Sequence, residues 1–91
     1  MKTETLKILK ENILNNLNYK LNLLEQIDLE NRIKQSADQI HIESLDQKRI
    51  IKILKENILN NFKHKLDFLE QVYLENYIDN SVDIIMKKNS Q

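Results

Sequence analysis

The ten residues KILKENILNN stand twice in this chain, as Lys7–Asn16 and again as Lys52–Asn61. The repetition decides how the rest is read. With Ile8 set against Ile53, the two copies are 45 residues apart and the match continues well past the identical block. LLEQIDLENRI (Leu23–Ile33) faces FLEQVYLENYI (Phe68–Ile78), and SADQI (Ser36–Ile40) faces SVDII (Ser81–Ile85). The chain is therefore two tandem units of one design, residues 1–45 and 46–91, within a single domain. A period of this size suits a helical unit that needs a neighbour to cover its apolar face.

The secondary structure follows from what is missing and from spacing. The 91 residues include no glycine, no proline and no cysteine. Hairpins and tight turns lean on glycine, proline or Asn–Gly pairs, so their absence points to an all-α protein. Leu6, Leu9, Ile13, Leu17, Leu21, Leu24 and Ile27 recur at helical spacing and predict one buried stripe. Ile51, Leu54, Ile58, Phe62, Leu66, Leu69 and Val72 repeat it. The phase then jumps near Gln26–Leu29 and Gln71–Leu74, and Leu29, Ile33, Ala37 and Ile40 open a second stripe, echoed by Leu74, Ile78, Val82 and Ile85. Two architectures fit. Either each unit breaks into two helices, giving a four-helix bundle, or each is one helix of about 40 residues in a long hairpin. The spacing of Ser44 and Gln47 predicts a capping box that opens the second unit.

Charge favours an antiparallel bundle in both cases. Lys48 to Lys65 holds six basic residues and one acid, Glu56, whereas Leu66 to Met86 holds five acids and no base. Along a single helix this order opposes the macrodipole, but it is favourable where basic and acidic halves lie side by side. Over the whole chain 14 Lys and Arg balance 14 Asp and Glu, which gives no general reason to invoke nucleic acid. No apolar run approaches the roughly 18 residues of a membrane span, and the N-terminus lacks a signal-peptide core, so a cytoplasmic protein is expected. A domain this small buries only about 60–65% of its unfolded surface, which leads us to expect self-association, as a homodimer.

No catalytic, cofactor or metal site is expected. Histidine occurs only at His41 and His64, and Asp38-x-x-His41 is answered in the second copy by Asp83-x-x-Met86. A phosphate-cradling loop needs the glycine that the chain lacks. Ser36, Ser44 and Ser81 have no base arranged beside them, and Glu25, Asp28, Glu30, Glu70 and Glu75 read as solvated helix flanks. The expectation is a non-enzymatic protein–protein interaction or regulatory module without a small-molecule substrate.

The differences between the copies suggest where a partner sits. Apolar swaps are mild, as in Leu17/Phe62 and Ala37/Val82. At three polar positions, however, the second copy turns apolar: Asp28 faces Tyr73, Arg32 faces Tyr77 and Gln39 faces Ile84. At about 100° per residue these share a stripe, and Tyr73, Tyr77 and Ile84 are the expected partner-binding residues, for another protein or a second copy of the chain.

Two alternatives come with the sequence. The basic amphipathic segment Lys48–Leu66 has the make-up of helices that lie on anionic membranes or touch phosphates. IKILK (Ile51–Lys55) and DNSVDIIM (Asp79–Met86) resemble the I-x-x-L-R and S-Q-x-L-D-x-L-I segments of the short helical-hairpin aspartyl-phosphate phosphatases of bacterial sporulation phosphorelays. That resemblance implies a phosphorelay role with Asp83, or Asp38 in the first copy, at the family's aspartate. The family's Ser-Gln pair is missing from both copies.

Overall fold

A computed structural model describes residues 2–43 and 46–89. Among them lie four helices and no strand: α1 (2–20), α2 (Leu23–Glu43), α3 (47–65) and α4 (Phe68–Asn89). The helices run up, down, up and down. Each packs on two neighbours, so α1 lies against α2 and α4, and α3 lies against the same two. Of the two architectures the sequence allowed, the four-helix bundle is the one formed. A Cα radius of gyration of 12.3 Å matches the roughly 12 Å expected of a compact chain this long.

The identical decapeptide explains how the stripe stays on the core. In α1 the buried residues Thr5, Leu9, Ile13, Leu17 and Leu21 recur at every fourth position. Four residues rotate an α-helix by about 400°, so such a row drifts by about 40° at each step. A π-helical turn at Lys10–Leu14, and its twin at Lys55–Leu59, admits an additional residue and takes out much of that drift. The widened turn leaves carbonyls to be satisfied. Asn16 Nδ2 donates to Asn12 O at 2.8 Å, and Asn61 Nδ2 donates to Asn57 O at 3.0 Å and Glu56 O at 3.1 Å. KILKENILNN thus carries core residues, widened turn and closing asparagine together.

Among the described residues the pseudo-symmetry of the core is complete. Every buried residue of the first unit, from Thr5 to Ile40, has a buried counterpart 45 positions later, from Ile50 to Ile85. Among the described residues its polar members are Thr5, Ser36 and Ser81. The two serines donate to the carbonyls four residues back, Arg32 O at 2.8 Å and Tyr77 O at 2.7 Å. That bond satisfies the buried hydroxyl.

The turns differ from expectation. The chain reverses at Leu21–Asn22 and Leu66–Asp67, five residues before the phase jump. Leu21 (φ −113°, ψ 141°) and Leu66 (φ −115°, ψ 140°) are simply extended, so neither turn requires glycine. Asn22 Oδ1 accepts from the Glu25 N–H at 2.8 Å, and Glu25 Oε1 accepts from the Asn22 N–H at 2.9 Å. Asp67 and Glu70 repeat this reciprocal box at 2.8 and 3.0 Å. Gln26 then reaches back across the turn, its Nε2 donating to Leu21 O at 2.9 Å, as Gln71 does to Leu66 O at 3.1 Å. Both ends of each turn are satisfied by side chains.

Because the chain turns early, the end of the predicted stripe leaves the core. Leu24 is 77% exposed, Leu69 60% and Ile27 48%, while Val72 is half-buried. The predicted cap at Ser44 lies outside the described residues. α3 opens on Asp46, whose Oδ1 accepts from the Arg49 N–H at 2.9 Å.

Candidate interaction surface on helix α4

Two of the bundle's four grooves join the two units and are pseudo-equivalent, one between α2 and α3 and one between α1 and α4. Corresponding ion pairs tie both at the turn end. Lys65 Nζ meets Glu25 Oε2 at 2.6 Å, and Lys20 Nζ meets Glu70 Oε2 at 3.0 Å. The two glutamates therefore serve the turns and the links between units, which is more than a solvated flank does. The Lys65 ammonium, then the Asn22 amide, holds the Glu25 carboxyl below its usual range. For Glu70 the Asp67 amide comes first and Lys20 second.

The grooves part company at the positions that changed between copies. On α2, Asp28 and Arg32 form an i,i+4 ion pair, with Nε 3.2 Å from Oδ1. On α4 the same two positions are Tyr73 and Tyr77. An ion pair has been exchanged as a unit for two aromatic rings one turn apart. Tyr73 is 51% exposed, whereas Tyr77 is half-buried against the core. Two turns on, Ile84 is 37% exposed and borders a shallow depression of about 210 Å³ with Ile8, Glu11 and Asn12 of α1. Small-molecule pockets usually enclose about 300–1,000 Å³, so the depression suits a protruding side chain better than a metabolite. Lys88 Nζ closes the far end of the groove on Glu4 Oε1 at 2.9 Å.

Tyr19 joins this groove from α1 and was not among the expected residues. Its hydroxyl donates to Glu70 Oε2 at 3.1 Å, which raises the phenol's pKa. Its counterpart in the second copy is His64, so comparing the copies at this position carried the signal that would have found it. All three tyrosines of the chain thus border one groove. In the other groove Asn57 Nδ2 donates to the buried Ser36 Oγ at 3.0 Å, while the equivalent Asn12 lines the depression beside Ile84.

A second apolar feature surrounds the turns. Leu23, Leu24 and Ile27 on α2, and Phe68 and Leu69 on α4, are exposed, Phe68 by 78%. These residues occupy the first turns of helices whose core positions begin only at Leu29 and Leu74.

Other sequence features are placed as follows. Asp83 is exposed and accepts from Gln47 Nε2 at 3.2 Å, and Asp38 is half-buried. The basic residues Lys48, Arg49, Lys52, Lys63 and Lys65 are exposed on α3. Among the described residues no three His, Asp or Glu side chains gather as a metal site would require, and no helix is long and apolar enough to cross a membrane. Compared with known protein families, curated proteins and solved structures, the chain matches none.

Proposed function

We propose that this protein is a non-enzymatic interaction or regulatory module that docks a protein partner, or a second copy of itself, through the row Tyr73, Tyr77 and Ile84 of α4. One observation carries the reading. These three apolar residues share a face that is open to solvent at Tyr73 and Ile84, and the otherwise equivalent first unit fills it with Asp28, Arg32 and Gln39. The core does not explain the change, because its buried positions correspond one for one between units. Tyrosine brings a large contact area with few rotatable bonds, which is why it recurs at binding hot spots.

Absolute mass by light scattering over a dilution series tests the self-association form of this reading. A dimer that Tyr73→Asp and Ile84→Gln convert to a monomer, with helix content unchanged, assigns association to this row. Tyr77→Arg should have the same effect with melting intact. Loss of folding would mean that Tyr77 acts as ordinary core. A dimer indifferent to all three changes together would overturn the assignment. A monomer at every concentration makes the partner a different protein.

A further inference from the structure

We infer that the occupant of this face is a second copy of the chain, docked antiparallel about a two-fold axis, with α4 of each copy lying along the α1–α4 groove of the other. The inference rests on the reading above that the row on α4 is a docking surface, and it adds the partner and its register.

Register comes first. On α4 the positions Glu70, Tyr73, Tyr77, Asn80, Ile84 and Lys87 are spaced by three, four, three, four and three residues. That alternation is the spacing of a coiled-coil seam, and it sets the six on one stripe of the helix. The spacing reads the same in both directions, so two identical helices can lie antiparallel on it with every contact made twice. Tyr73 then meets Ile84 of the other copy, Tyr77 meets Asn80, and Glu70 lies level with Lys87. The central pair is polar, but a phenol and a carboxamide can each satisfy the other. On α2 the same spacing would set Asp28 against Gln39 and Arg32 against Gln35, which makes no apolar seam.

Shape agrees with this register. Level with Ile84 the groove holds its depression, bordered by Ile8, Glu11 and Asn12 of α1. The exposed Tyr73 of one copy arrives at the depression of the other, so each copy offers one knob and one hollow. Seated in the groove, each α4 touches two helices of the other copy. Tyr19, 72% exposed, stands on the rim where the C-terminal end of the other α4 would pass.

Charge selects the direction. Glu70 is answered by Lys20 and Glu4 by Lys88. That leaves Asp67 in excess at the turn end, whereas Lys7 and Lys87 outnumber Glu11 at the other end. Asp83 lies on the α3 side of α4, where Gln47 donates to it. Antiparallel docking sets the acidic end of each copy against the basic end of the other, and parallel docking would set like against like.

The test uses the full chain, whose lack of cysteine allows a single spin label to be placed by substitution. Asn76→Cys and Leu69→Cys both fall on exposed positions beside the seam. In the antiparallel dimer the two labels at Leu69 stand roughly 28 Å apart along the helix axis, and those at Asn76 roughly 8 Å. Electron-spin distance measurements should therefore give a clearly longer separation at Leu69. Lys87→Glu should raise the dimer dissociation constant on the order of tenfold at low salt, and by less near about 0.5 M salt.

Equal separations, in a dimer that Tyr73→Asp with Ile84→Gln still dissolves, would overturn the antiparallel register while leaving the docking face intact. An unchanged constant for Lys87→Glu would overturn it in the same way. A dimer that survives Tyr73→Asp with Ile84→Gln would overturn both. A chain that stays monomeric at every concentration would overturn the second copy as occupant and leave the face to a different protein.

Discussion

The groove between α2 and α3 and the groove between α1 and α4 share one plan. Both carry a π-helical turn, a reciprocal capping box, a glutamine folded back over the turn and a lysine–glutamate link at the turn end. They differ on the surface. One bears the Asp28–Arg32 ion pair and Gln39, the other Tyr73, Tyr77 and Ile84. The contrast separates what the bundle needs from what it can spare. Close-packed cores resist change in volume and polarity, so the buried positions stayed matched. Exposed positions can change at little cost to folding, which left one groove free to become apolar.

The largest effect should come from breaking the shared part. Ile13→Ala and Ile58→Ala empty equivalent, fully buried sites at the two π-helical turns, and each is expected to cost about 3 kcal/mol in urea unfolding. Nearly equal losses would sustain the pseudo-symmetry. A large inequality would show that the two units do not share the core load.

The next effect sharpens the difference. Placing Asp28→Tyr, Arg32→Tyr and Gln39→Ile on α2 should create a second docking row, so that light scattering over a dilution series reads association beyond that of the native chain. An unchanged mass would mean that the α1 side of the native groove supplies more than the row itself.

The smallest effect lies in the links. Glu25 and Glu70 both titrate below the ordinary carboxylate value of 4.5 in the folded chain. A depressed folded pKa contributes stability that is present above the unfolded value. That contribution is lost as pH falls from about 4.5 through the folded values. Glu25→Gln with Glu70→Gln should therefore flatten the acid limb of stability against pH, and leave the slope above pH 5 unchanged.

Much of this was legible before the coordinates. The repeat, the helical class, the antiparallel arrangement and the buried set from Leu29 and Leu74 onward follow from spacing and charge. The turns were readable as well, in Asn22-x-x-Glu25 and Asp67-x-x-Glu70, but the apolar stripe runs straight through them and outweighs them by eye. Leu24 and Leu69 fit a helical period just as Leu17 and Phe62 do, and only the reversal at Leu21 and Leu66 puts them outside. On the surface, the copies' differences pointed to Tyr73, Tyr77 and Ile84. The copies differ at Tyr19 and His64 as well, but the place of Tyr19 in the groove depends on a contact 51 residues away, with Glu70.

The sequence by itself determined that the chain is two like helical units with one shared core pattern, because hydrophobic period and residue composition act locally. The tertiary structure alone decided that each unit turns back five residues before its phase jump, and that a π-helical turn keeps a four-residue period on the core. It also decided that three tyrosines from two helices meet along one groove. Those outcomes depend on which helices become neighbours, and that is set by packing between segments far apart in the chain.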